Sequence, residues 1–178
     1  MTEDKNTKLL LIRLQSQNKD EILSAIDDVK ETGRPELISA LLDILVQHTD
    51  IELQAAVFGI LNELKNQKCA IEIVNALKSK KYNNFRNQIY LSCWSSGLDY
   101  SEYLPFFVEL FIAEDFINAF EIFTLIETFE REYDVLILDK LVYNLKSCAL
   151  GSEETKNRLL TELIHLLENK KTERLHPN

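Results

Sequence analysis

At 178 residues the chain is long enough to bury a core of its own, and 46% hydrophobic with 28% charged side chains is the balance of a globular protein. Four glycines and three prolines supply too few tight turns for an all-β or doubly wound fold. A formal net charge of -9 opposes attraction to phosphate backbones and anionic membrane surfaces, and points instead to a basic or neutral partner.

The opening Met1-Thr2-Glu3-Asp4-Lys5-Asn6 is too acidic and polar for a signal peptide, and no stretch reaches the roughly 20 apolar residues of a membrane span. A cytoplasmic chain without membrane contact is expected. Cys69, Cys93 and Cys148 lie far apart with no C-x-x-C pair, which suits a reducing compartment, and all three read as buried small hydrophobes.

Helical spacing of apolar residues predicts a first helix over residues 4–16, with Leu9, Leu10, Ile12 and Leu14 on its apolar face. It would cap one end. A second helix begins after Asn18, with Glu21 placed as in a capping box and Ile22, Ile26 and Val29 on one face; it stops at Gly33. Pro35 then opens a partner helix running to about Gln47.

Thr49-Asp50-Ile51-Glu52 reads as a capping box for a helix carrying Leu53, Val57, Leu61 and Leu64. Gly59 inside it suggests close approach of a neighbouring helix. The next helix, from about Cys69 to Ser79, ends in Lys78-Ser79-Lys80-Lys81, whose lysines suit the negative end of a helix dipole. Another covers residues 84–96 and stops at Gly97. From Tyr100 to Ala113 the sequence is apolar nearly all round, and Pro105, lacking an N–H, moves the helix start towards Tyr103.

Further helices are predicted over residues 115–130, 133–148 and 152–169, with Gly151-Ser152 as a stop and cap and residues 170–178 as a flexible tail. No linker divides the chain, so residues 1–178 form one expected domain, with a capping helix over 1–17 and helix pairs over 18–169.

Alternate helices present Ile22 and Ile26; Leu53, Val57 and Leu61; Phe85, Ile89 and Cys93; Ile122 and Ile126; and Leu159 and Leu163, a recurrence of about 31 to 37 residues. One helix pair is therefore the repeating unit, and stacking neighbours complete a core that no pair covers alone. The string from Asp50 to Leu64 resembles the first helix of a HEAT repeat, with an Asp-led turn, an aliphatic-polar pair, small residues and a Leu; Asn84-Phe85-Arg86 repeats the pattern more faintly. The spacing is shorter than the roughly 40–47 residues of longer HEAT units and is similar to the short bacterial HEAT-like class. The resemblance implies an all-α, right-handed superhelix, a solenoid of about four to five antiparallel helix pairs.

No phosphate loop, nucleophile elbow or H-E-x-x-H motif is present, and His48, His165 and His176 have no ligand-like spacing, so neither metal nor cofactor is expected and the chain reads as a non-enzyme. Glu114-Asp115 and the pair Glu130 and Glu132 flank predicted helix ends and read as solvated caps rather than an acid and base. Between Asp99 and Asp139 carboxylates far outnumber Arg131 and Lys140, as an outer solubilising surface or an acidic face for a basic partner. Aromatics concentrate in Trp94, Tyr100, Tyr103, Phe106, Phe107, Phe111, Phe116, Phe120 and Phe123 and are mostly assigned to core; Leu104, Phe107, Val108 and Phe111 already fill one helix face, which leaves Tyr103 and Phe106 as candidates for exposure.

HEAT-like proteins mainly bind other proteins, so the expected function is a protein-interaction scaffold whose second helices line a concave surface, with Glu36, Ser39, Asp43, Tyr103 and Phe106 as its partner-binding residues. Two alternatives follow from the same resemblance. One is nucleic-acid binding through the basic, aromatic strip Lys78, Lys80, Lys81, Tyr82, Phe85 and Arg86, which the acidic net charge disfavours. The other is a bilin-lyase-like enzyme, for which no pigment pocket is marked.

Overall fold

The computed structural model describes residues 2–148 and 154–175, and among them there are ten α-helices and no strand. The helices are α1 Thr2–Leu14, α2 Lys19–Thr32, α3 Ile38–Gln47, α4 Ile51–Asn62, α5 Cys69–Lys78, α6 Arg86–Ser96, α7 Leu104–Ala113, α8 Phe116–Glu127, α9 Val135–Cys148 and α10 Glu154–Leu175. Short 3-10 turns, Pro35–Leu37, Lys80–Phe85 and Ser101–Tyr103, lead into α3, α6 and α7. The expected Gly151-Ser152 stop, His176 and the last three residues lie outside the described residues. The chain forms two compact units, Met1–Asp99 and Tyr100–Asn178.

In the first unit the even-numbered helices lie side by side, α4 packing on both α2 and α6, while α3 packs on α1 and α5. Each odd-numbered helix also packs on the even-numbered one that follows it. The result is two layers with apolar stripes turned inward. Ile22, Ile26, Leu53, Val57, Leu61, Ile89 and Cys93 are buried, as are Leu41, Ile73 and Leu77 of the other layer. Burying each such Leu or Ile side chain is worth about 1.5–3 kcal/mol. Phe85 is only half-buried, its ring 6.5 Å from that of Phe58.

Helix ends follow local chemistry, with two corrections to the expected capping boxes. Asn18 caps α2 by accepting from the N–H groups of Asp20 and Glu21, but the return bond from Glu21 is not made: the Asn18 N–H donates to Ser16 Oγ, and Ser16 donates to Glu21. At α4 the cap is Asp50 rather than Thr49, because the Asp50 carboxylate reaches both the Glu52 and Leu53 N–H groups and also holds Lys19 at 2.8 Å. Gly33 and Gly97 end α2 and α6 with φ of 51° and 66°, a left-handed conformation that disfavours side chains.

Helices of the first unit are also tied by side chains that bond backbone atoms 31 to 33 residues away. Lys65 donates to the Ser96 carbonyl, Asn66 to that of Gly33, and Gln67 both donates to Asp99 O and accepts from Asp99 N. The first two bonds satisfy carbonyls left orphaned where α6 and α2 end, and the Gln67 pair fixes the loop after α6. In the second unit the buried Tyr133 hydroxyl does the same for Ser101 O at 2.9 Å, across 32 residues.

Within that second unit, α7 packs on α8 and α9, and α10 packs on the same two helices. Its centre is aromatic: the fully buried Phe107 ring meets Tyr100, Phe106 and Phe129 at centroid distances of 5.6 to 5.9 Å, edge-on. Leu104, Val108 and Phe111 are buried beside it.

Four expectations change. Trp94, Phe116 and Phe120 are exposed rather than core, because each stands on the side of its helix away from that helix's buried stripe. Cys148, in the last turn of α9, is exposed, whereas Cys69 and Cys93 are buried. An added Cβ at Gly59 would meet no atom within 4 Å, so no neighbouring helix approaches it. Finally, α10 continues through Lys170 to Leu175, where Lys170 donates to the Phe129 carbonyl and Lys171 pairs with Asp139, holding in place a segment assigned to a flexible tail.

Candidate functional site

Residues four apart on α3 share a face, and Ser39 and Asp43 fall on the side opposite the buried Leu41 and Leu45, with Glu36 exposed on the preceding 3-10 turn. Beside them α5 offers Glu72 and Asn75. The 3-10 segment after α5 returns beneath this face and buries Tyr82, whose hydroxyl donates to Asp43 Oδ1 at 2.5 Å. Lys81 pairs with the same carboxylate.

These elements enclose an open groove of about 220 Å³ lined by Ser39, Leu42, Glu72, Asn75, Ala76, Ser79 and Tyr82. Burial, then the Asp43 hydrogen bond, pushes the Tyr82 hydroxyl above its ordinary range, while Asp43 raises Lys81. Burial likewise raises the Cys69 thiol to about 11, with Glu36 and Glu72 adding to the effect. Asp43 is therefore bound up in the structure, and Ser39, also hydrogen-bonded to Tyr82, is exposed beside it together with Glu36.

Tyr103 and Phe106 belong to the second unit and are half-buried. Phe106 leans its ring on Phe107. Desolvation, then the hydrogen bond with Glu102, raises the Tyr103 hydroxyl to about 12.

A second groove, of about 450 Å³, lies where α2 and α4 end, floored by Val29, Ile60 and Leu64 and rimmed by the Lys30–Glu63 pair at 2.7 Å. Sequence reasoning missed it, since Lys30 and Glu63 are 33 residues apart and neither stands in a motif.

In the basic strip Lys78, Lys80 and Lys81 are exposed, while Tyr82 is buried and Phe85 and Arg86 are half-buried. Lys81 and Tyr82 serve Asp43, Arg86 donates to the Leu77 carbonyl at the end of α5, and Phe85 rests near Phe58. Asp115 caps α8 through the Asn118 N–H, and Glu114 accepts from the Asn118 side chain, while Glu130 and Glu132 are exposed in the joint before α9. His48 is half-buried just after α3 and His165 is exposed on α10. Among the described residues no group of three or more His, Cys, Asp or Glu is placed to hold a metal ion, and no helix is long and apolar enough to cross a membrane. Comparison with models of protein families, with curated proteins and with solved structures returns no match to this chain.

Proposed function

We propose that this chain is a non-enzymatic, HEAT-like interaction module of the cytoplasm that holds a basic protein partner against the exposed face of its second helices, α3 and α5, the concave side of a solenoid. The observation that carries the reading is the groove between those helices, where Ser39, Glu72 and Asn75 offer hydrogen-bonding groups beside a Tyr82–Asp43–Lys81 cluster that is already internally bonded. Such a surface presents acceptors to a Lys or Arg side chain without having to rearrange first. The solenoid reading is supported by the two-layer packing within the first unit and by ties across 31 to 33 residues in each unit. The pairing of Lys81 with Asp43 and the bond from Arg86 to the Leu77 carbonyl weigh against the nucleic-acid alternative.

The test is affinity capture of tagged protein from its native cells with mild crosslinking and nuclease treatment, run in parallel with Ser39→Arg and Glu72→Lys. A stoichiometric protein partner that survives nuclease and is lost from both variants supports the reading. A partner retained by both variants, or recovery abolished by nuclease, refutes it.

A further inference from the structure

Helix α8 turns Ala119, Ile122, Leu125 and Ile126 into the core. On its other side Phe116, Ile117 and Phe120 remain 38%, 65% and 49% exposed, the two phenyl rings 6.4 Å apart, so that three large apolar side chains form one continuous step on the surface. The rim of this step is acidic. Glu121 follows Ile117 by four residues and Glu127 follows Phe120 by seven, which places both along the same side, and Asp115 stands at the N-terminal end. The sequence of α8 holds no Lys or Arg. The nearby Lys156 donates to the Ile112 and Glu114 carbonyls, and Arg158 on the adjoining α10 is paired with Glu154 at 2.8 Å.

We infer that this face of α8 is a docking surface for a cationic amphipathic helix of another protein, whose apolar side covers Phe116, Ile117 and Phe120 while its Lys or Arg side chains reach Glu121 and Glu127. Charge selects the occupant. A second copy meeting the same patch across a two-fold axis would set Glu121 and Glu127 against carboxylates, and anionic lipid meets the same repulsion. An amphipathic helix carrying cations beside its apolar stripe satisfies both halves of the surface at once. The surface lies on a different helix from the α3–α5 groove and stands independently of the function proposed for it.

The test titrates the full chain into two labelled model helices of equal length, one of Leu and Lys in amphipathic register and one of Leu and Glu, followed by fluorescence anisotropy. Only the Leu–Lys helix binds, added salt weakens it, and Ile117→Ser with Phe120→Ser lowers affinity about tenfold or more. Leu136→Ser with Tyr143→Ser, which removes exposed apolar side chains from α9, leaves affinity within about twofold. Far-ultraviolet circular dichroism verifies that each variant folds. Equal affinity for wild type and the α8 variant, equal losses in both double variants, no binding of the Leu–Lys helix, or a wild-type dimer dissociated by the α8 substitutions would each overturn the inference.

Discussion

Replacing Gly59 by alanine stabilises the protein. The residue lies inside α4, eight positions after Ile51, with no positive φ to protect, and an added Cβ meets nothing within 4 Å. Because the position is exposed, the new methyl neither clashes nor gains appreciable burial. What remains is backbone entropy, since alanine restricts the unfolded chain more than glycine does and is the better helix former, by about 0.5–1 kcal/mol. For a chain of this length that corresponds to a rise in Tm of about 1–4 °C. Urea denaturation followed by far-ultraviolet circular dichroism reads the change as a higher midpoint. Gly97→Ala is the internal control: its φ of 66° strains any L side chain, and the midpoint falls by an amount equivalent to about 1 kcal/mol or more. A fall in midpoint for Gly59→Ala would refute the reasoning, because it would require something to occupy the space beside α4.

Truncating Phe107→Ala removes the ring on which Tyr100, Phe106 and Phe129 converge and costs about 3–5 kcal/mol by chemical denaturation; a loss below about 1 kcal/mol would show that the rings are not the centre of that unit. Tyr82→Phe deletes the donor to Asp43 and costs about 1 kcal/mol, since Lys81 still holds the carboxylate. The raised Tyr82 hydroxyl adds a pH signature: its contribution is complete below the ordinary tyrosine value of 10.0 and fades as pH climbs through the higher folded value, so Tyr82→Phe flattens the alkaline limb of the stability profile. Asp50 runs the other way. Lys19 first, then the Leu53 N–H, lowers its carboxyl, so its contribution is present above the ordinary 3.8 and is lost as pH falls through the lower folded value; Asp50→Asn, which can still cap α4, flattens the acid limb. Under native conditions a maleimide modifies Cys148 promptly, whereas Cys69 and Cys93 react only as the protein unfolds, and immediate modification of all three would contradict their burial.

Much of the helical layout was legible in the sequence, because apolar periodicity and the two left-handed glycines act locally: α2 stops at Gly33, α6 at Gly97, and Pro105 stands in the first turn of α7. Capping was legible in kind but not in register. Thr49 and Asp50 are both good caps, and the choice fell to Asp50, which also pairs with Lys19, 31 residues away. Composition suggests that most of the aromatics from Trp94 to Phe123 are core, but it reports how apolar a residue is and not the side of the helix on which it stands, and Trp94, Phe116 and Phe120 are exposed. At the candidate site Glu36 and Ser39 are exposed, as polar residues on a turn and a helix flank commonly are. The commitment of Asp43 to Tyr82 and Lys81 was invisible, since it joins α3 to a turn 38 and 39 residues further on.

The side-chain bonds from Lys65, Asn66 and Gln67 to distant backbone atoms also make the chain intolerant of small changes in its own length. Each bond measures a fixed stretch of polypeptide. A residue inserted between Gly33 and Asn66, or between Gln67 and Asp99, rotates the helix it enters by about a hundred degrees and carries one partner out of reach of the other. The first unit is therefore ruled off in intervals of 31 to 33 residues, and indels within an interval are expected to be rejected where point substitutions on the outer surface are accepted.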